Sequence, residues 1–227
     1  MNSAAKVDVV FVSDEDIPDC FTVLSKGFGD AAPFVNIYFP LHDTPSGHVQ
    51  GSKRLLTWKQ TDHDSTFLKA VTRTGPNDQE RIIGFGVWTH MKEAPNAKLD
   101  EVEDVEEVWP DPEDREYMTQ LWRDYVGPRS QAVNDSGGKG VYVLELLVVH
   151  PDFQRLGAGT ALVKWGTHAA DDQGLRAIVE GTPVGRHLYE KCGLHAEIER
   201  MSFDVGDRFV RRRKPELIFM TRDPVSS

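Results

Sequence analysis

The sequence predicts an α/β fold: a mixed, mostly antiparallel sheet of about seven strands with helices on both faces. Two observations carry that prediction. The second half alternates apolar strands with amphipathic helices, as VYVLELLVV (141–149), GAGTALVKWGTHAADDQ (157–173), RAIVEG (176–181) and PVGRHLYEKCG (183–193), and a strand, helix, strand unit makes parallel neighbours. In the first half two strand-forming runs, Thr66–Thr74 and Arg81–Met91, flank GPNDQE (75–80), whose turn residues join them as an antiparallel hairpin.

Taken in order, Val7–Ser13 reads as a strand. Asp14 follows as an N-cap for a helix with Ile17, Phe21 and Leu24 at helical spacing, closed by Gly27 and Gly29. Beyond the aromatic stretch from Ala32 to Pro45, an amphipathic segment at 47–60 predicts a second helix ahead of the hairpin. From Lys92 to Gly140 the pattern breaks. Asp100–Glu116 holds ten acidic residues and one Arg, so nearly all of the chain's net charge of −10 is concentrated there. Pro112–Tyr125 sets Met118, Leu121, Trp122 and Tyr125 on one helical face, and NDSGGKG (134–140) reads as a flexible tether. This acidic stretch, about 92–140, is expected to be an insertion in a single domain spanning 1–227. The helix at 157–173 carries a stripe of Ala158, Ala161, Leu162, Trp165 and Ala169, which predicts that it lies on a sheet. Two last strands are expected at Ala196–Val205 and Glu216–Arg222.

The 227 residues suffice to bury a core without disulfides or a structural metal. With 36 acidic against 26 basic side chains, nucleic acid and anionic membrane surfaces are poor partners for the molecule as a whole. Cys20 and Cys192 lie far apart with no CxxC, and the eight histidines show no metal-ligand spacing, so no metal is expected. The N-terminal apolar run reaches Asp8 too soon for a signal peptide, and no run approaches a membrane span. A reducing, cytoplasmic location is expected, and a nuclear one is compatible with it.

Chemistry concentrates at His150–Thr160, which joins a buried strand to a helix. Small residues at 157–159 expose backbone N–H groups at the helix start, where unsatisfied donors and the positive end of the dipole favour an anion such as a pyrophosphate. A lone GxG also serves merely to close a tight turn. A P-loop would need Lys and Ser or Thr after its second Gly, and a dinucleotide fingerprint needs a small residue where Leu162 stands. Neither is present.

LLVVHPDFQRLGAG resembles the acyl-CoA signature of the GNAT (Gcn5-related) N-acetyltransferases, through Gln154, Gly157 and Gly159. GRHLYEKCGL, with Gly185, Leu188, Tyr189 and Gly193, resembles that family's second motif. The resemblance covers 141–196, the expected acyl-CoA-binding core. It implies a GNAT-type sheet splayed between strands four and five to admit acetyl-CoA as co-substrate. Backbone groups of Leu147, Val148 and Val149 would meet the pantetheine arm, and Gln154, Arg155, Leu156, Gly157, Ala158, Gly159 and Thr160 would cradle the pyrophosphate. The implied reaction is direct transfer of acetyl to a primary amine, with a small molecule or xenobiotic expected as acceptor. A protein lysine or N-terminus, or a non-catalytic acyl-CoA sensor, are the alternatives. The chain departs from many relatives in having Thr182-Pro183 where they carry an Asn, and in its acidic insertion. A monomer or homodimer is expected.

Two catalytic candidates follow. Strand alternation puts Val141, Val143, Glu145, Leu147 and Val149 on one face, and a carboxylate among apolar neighbours either has a raised pKa or finds a partner. Glu145 is therefore a base for the acceptor's ammonium, directly or through water, or else a strand Glu paired with an Arg or Lys. The histone-acetyltransferase branch of the family carries its basic Glu two residues earlier, where this chain has Val143. Tyr189 matches the family's Tyr that protonates the departing thiolate; its other reading is a core Tyr. Glu180 reads as a second carboxylate facing the substrate or as a solvated strand end. Cys192 lacks an activating partner. The run RFVRRRK (208–214) reads as a solvated basic turn, a patch facing the acidic insertion or CoA phosphates, or a nucleic-acid contact.

Overall fold

A computed structural model describes residues 6–73, 80–101 and 103–225. Its elements are β1 (Val7–Phe11), α1 (Ile17–Phe28), α2 (Pro33–Tyr38), α3 (Pro45–Thr61), β2 (Ser65–Arg73), β3 (Glu80–Met91), α4 (Val105–Val108), α5 (Pro112–Asn134), β4 (Val141–Val149), α6 (Ala158–Gln173), β5 (Arg176–Gly181), α7 (Arg186–Lys191), β6 (His195–Ile198) and β7 (Ile218–Arg222). They form one seven-stranded sheet in the order β1-β2-β3-β4-β5-β7-β6. Each pairing is antiparallel except β4 with β5. This is the predicted fold class. The turn expected between β2 and β3 lies, at 74–79, outside the described residues.

Helices cover both faces. On one, α6 lies over β3 and β4, where Trp88 stacks on Tyr142 (5.3 Å, 12°) and donates to Leu162 O. A Cβ at Gly166 would lie 1.9 Å from the Trp88 ring, so only glycine lets α6 approach this closely. On the other, α1 and α3 pack on Phe67, Phe85 and Val87, and α5 packs on Val141, Val143, Ile178 and Phe219.

Several elements differ from the expectation for local reasons. Gly27 does not end α1. It lies inside the helix, where a Cβ would sit 2.1 Å from Val148 Cγ2, so it sets the close approach of α1 to β4. Helix α5 runs on past Tyr125 through Gly127 and Pro128, because Val126, Arg129, Ala132 and Val133 are buried on its far half. Residues 135–140 are a hydrogen-bonded turn with Gly137, Gly138 and Gly140 at positive φ, Gly140 N donating to Ser136 Oγ, and Asn134 closes α5. The expected strand Ala196–Val205 keeps ladder pairing only over His195–Ile198. Beyond it Met201, Phe203 and Val205 still alternate inward against α5, with Met201 N donating to Leu217 O.

The acidic stretch is largely neutralised within the molecule. Glu101, Glu103, Glu106, Glu107, Asp114 and Glu116, six of its ten carboxylates, form ion pairs. Two of the partners, Arg208 and Arg212, come from RFVRRRK, so that run faces the acidic segment. Among the described residues no helix is long and apolar enough to cross a membrane.

Candidate active site

Strands β4 and β5 pair only from Val141 to Val143, opposite Arg176 to Ile178. β5 stays paired with β7 from Ala177 to Gly181, while β4 continues to Val149 along β3. The parting coincides with a bulge: Leu144 faces Trp88 and Leu146 faces Val87, which leaves Glu145 as the unpaired extra residue. The bulge also corrects the predicted alternation. Val141, Val143 and Glu145 face the α5 side as expected, but Leu147 and Val149 cross to the α6 side, and Leu146 and Val148 take their place against α1.

Beyond the bulge one edge of β4 is open. The carbonyls of Leu146 and Val148 lie close to Gly86 and Gly84, and His150 N donates to Ile83 O, so these residues turn their backbone toward β3. By strand alternation Leu147 and Val149 present their N–H and C=O groups to the open side. A cavity of about 1740 Å³ follows that edge.

At its outer end lies the 150–160 loop. Phe153 anchors it, packed on His150 and under the Arg81 guanidinium at 4.6 Å. Arg155 (φ +65°) and Gly157 (φ +93°) are both left-handed, a backbone path that curls successive amides into one concavity. Among the described residues the amides of 155–160 donate to no carbonyl, whereas Ala161 N closes the first turn of α6 on Gly157 O. Gly157 is needed for its φ. A Cβ at Gly159 would lie 3.0 Å from Leu188 Cδ2, a tight contact against α7, the second helix that lines the cavity. This end is fitted to an anion, and the open β4 edge to an extended amide-bearing chain.

The inner end is polar and deeply buried. Arg129 of α5, with 2% of its side chain exposed, donates Nη1 to both oxygens of Glu145 (3.0 and 2.8 Å). It also grips Glu180 through Nε (3.0 Å) and Nη2 (2.5 Å), and Nη2 reaches the Tyr125 hydroxyl at 2.7 Å. Both carboxylates border the cavity, the Glu180 side chain fully buried and that of Glu145 14% exposed. Burial lifts the Glu145 carboxyl above its ordinary range; Arg129 pulls against that, and the charge of Glu180 adds to it. Phe34, Tyr38, Trp122 and Tyr125 line the same end, Phe34 stacked on Tyr125 at 4.3 Å. Above them Tyr38 donates to Glu103, Arg54 bridges Glu103 and the Tyr38 carbonyl, and Trp109 Nε1 donates to Ile37 O, which ties α2 and the 103–109 segment into a roof.

Tyr189 of α7 lines the same cavity. Its ring is seated against Gly181 and Gly185, where a Cβ would come within 2.5 and 2.7 Å of it. Burial raises its pKa, so the phenol keeps its proton at neutral pH, and the hydroxyl has no hydrogen-bond partner among the described residues. Of the residues singled out from sequence, Glu145, Leu147, Val148, Val149, Glu180 and Tyr189 border this one cavity. So do Gln154, Arg155, Gly157, Ala158, Gly159 and Thr160, while Leu156 points away and is exposed. Glu180 is the buried second carboxylate and not a solvated strand end. Cys192 is buried, with its thiol pKa raised by burial. Arg129, Tyr125 and the Arg54–Glu103 pair were not singled out as site residues. Tyr125, Arg129 and Glu103 lie in the 92–140 stretch and Arg54 in α3, where nothing local marks them as site residues. Among the described residues no three His, Cys, Asp or Glu side chains are grouped to hold a metal.

Several solved structures share the whole fold. Arylalkylamine N-acetyltransferase 2 from Aedes aegypti is 14% identical, with 96% of this chain and 99% of that one covered and a TM-score of 0.65. A variant of agmatine N-acetyltransferase is 14% identical over 95% and 97%, at 0.62. A histone acetyltransferase and related acetyltransferase from Corynebacterium glutamicum is 16% identical over 99% of both chains, at 0.58. At these identities the likeness is one of fold. No curated protein matches the sequence significantly. The family model for the acetyltransferase (GNAT) family matches residues 37–194, well over half of the chain. The chain thus belongs to the GNAT family of acetyltransferases and is an acyltransferase.

Proposed function

We propose that this protein transfers an acetyl group from acetyl-CoA to the primary amine of a small molecule. The observation that carries the reading is the continuity of one cavity from the free amides of 155–160, past the open edge of β4, to Glu145 and the roofed aromatic end. The amides of 155–160, with the side chains of Gln154 and Arg155, hold the diphosphate, and Leu147 and Val149 pair with the pantetheine amides. Acetyl-CoA supplies the acyl group as a thioester.

An alkyl ammonium has a pKa of about 10 and is not nucleophilic until a base removes its proton. Glu145 takes that proton. The amine nitrogen then bonds to the carbonyl carbon, the developing oxyanion is met by a β4 amide, and the C–S bond breaks. Tyr189 protonates the departing sulfur and recovers a proton, through solvent, from the nitrogen's second hydrogen. The products are an N-acetyl amide, free CoA thiol and one released proton. A roof tied by Arg54, Glu103 and Trp109 favours a small acceptor over a lysine on a folded protein.

Thiol release from acetyl-CoA across a panel of amines tests this. Turnover with small amines supports it. Turnover only with peptides would move the acceptor to protein, and tight CoA binding without turnover would make the protein a sensor.

A further inference from the structure

The charge count at the inner end does not balance. Arg129 contributes one positive charge, and Glu145 and Glu180 two negative ones, behind a wall that leaves 2% of the Arg129 side chain and none of the Glu180 side chain exposed. All three nitrogens of the guanidinium are engaged, through five contacts. The two carboxylates are held differently. Glu180 takes the side-on fork of Nε and Nη2 with one oxygen each, whereas both oxygens of Glu145 share the single nitrogen Nη1. Glu180 is thus the committed counter-ion of Arg129. All three side chains line the cavity, but Glu145 alone keeps appreciable exposure, 14% of its side chain against 2% for Arg129 and none for Glu180, so it is the carboxylate that an incoming cation reaches.

We propose that Arg129 and Glu180 are opposed positioning residues for Glu145: Arg129 fixes its carboxylate where β4 and β5 part, and Glu180, by occupying Arg129's other edge, leaves one negative charge for the acceptor's ammonium to complete. The proposal rests on the reading of Glu145 as the base, and it adds that the base is tuned from the 92–140 segment and from β5. Other ionisable groups that face Glu145 are Tyr125 of α5, Tyr38 of α2 with its Arg54–Glu103 partners, and Asp62 at the end of α3. Both tyrosines are held neutral by burial, so the balance is set by Arg129 and the carboxylates.

The two roles predict opposite shifts. In Glu180→Gln, Arg129 is left to Glu145 alone, and the Glu145 carboxyl titrates about one pH unit lower than in the parent protein. In Arg129→Gln, two buried carboxylates lose their common cation, and the titration moves about one unit higher. The readout is the carbon-13 shift of the Glu145 side-chain carboxyl in uniformly labelled protein, assigned with Glu145→Gln and needing no acceptor. The acid limb of the thiol-release pH profile, taken with the best amine of the panel, should move in parallel. Arg129→Lys serves where Arg129→Gln does not fold, retained CoA binding being the check on the fold, and an upward shift is expected of it too because one ammonium cannot span both carboxylates. Opposite shifts support the proposal. If Glu180→Gln and the Arg129 variant leave the Glu145 titration within 0.2 units (roughly, against the shift expected) or move it the same way, the positioning roles are wrong. If instead Glu145→Gln keeps full turnover, it is the base assignment that fails.

Discussion

Replacing Gly157 by Glu sets backbone strain, helix electrostatics and ligand charge against one another, and the three separate experimentally. At φ +93° a side chain costs about 1–2 kcal/mol, although nothing lies within 4 Å of the new Cβ. A carboxylate at the start of α6 returns about 0.3–1 kcal/mol through the helix dipole, so the free protein should lose no more than about 1–2 kcal/mol of stability. The same carboxylate faces the diphosphate. A unit charge about 6 Å away costs about 3 kcal/mol at an effective dielectric of about 20, and screening at this exposed loop leaves about 1–2 kcal/mol, a loss of about 5- to 30-fold in CoA affinity. Gly157→Asn is the control, being neutral and tolerant of left-handed backbone; it should bind CoA within about threefold of the parent protein. Isothermal titration with CoA reads the affinity and urea unfolding reads the stability. Equal affinity in Gly157→Glu and the parent would refute the placement of the diphosphate at this helix start.

Four further outcomes are expected. Glu145→Gln should lower turnover by about 100-fold or more while CoA affinity holds, the gap being widest between the raised Glu145 pKa and the amine pKa; steady-state kinetics against pH would show it, and an unchanged profile would remove Glu145 from the reaction. Tyr189→Phe should slow turnover by about tenfold or more with CoA affinity intact, and equal rates would return Tyr189 to a packing role. Gly27→Val drives a side chain into Val148 and should cost about 1–3 kcal/mol in urea unfolding; full stability would contradict the close approach of α1 to β4. Asp171 takes two hydrogen bonds from Arg222 (2.7 and 2.8 Å), and these bonds lower its pKa. That pair contributes stability above the ordinary carboxylate range near pH 4, lost as pH falls through the lowered folded value. Asp171→Asn should therefore cost about 1 kcal/mol at pH 7 and little near pH 2, and a pH-independent cost would rule the ion pair out.

The sheet and the loop end of the cavity were legible in the sequence because both are local. The strand at 141–149, the glycines at 157 and 159 and the stripe on 158–169 each reveal their role within a dozen residues. The inner end was only half legible. Glu145 stood out as a carboxylate in an apolar strand, but the bulge it creates depends on the register of β4 against Trp88 and Val87, which no single strand encodes. Leu147 and Val149 consequently lie on the opposite face from that expected. Arg129 was hidden behind Gly127-Pro128, a pair that reads as a helix stop and is overridden by burial on both sides of it. Glu180 looked like an exposed strand end because its partner comes from α5, 51 positions away in the chain. Gly27 read as punctuation for the same reason: the Val148 side chain that demands it lies on another element.

The central claim is most directly tested by following backbone amide resonances of labelled protein during titration with CoA. The account predicts that the amides of residues 155–160 and those of Leu147 and Val149 shift together and saturate with one affinity. Movement confined to other surfaces, or none at millimolar CoA, would contradict it.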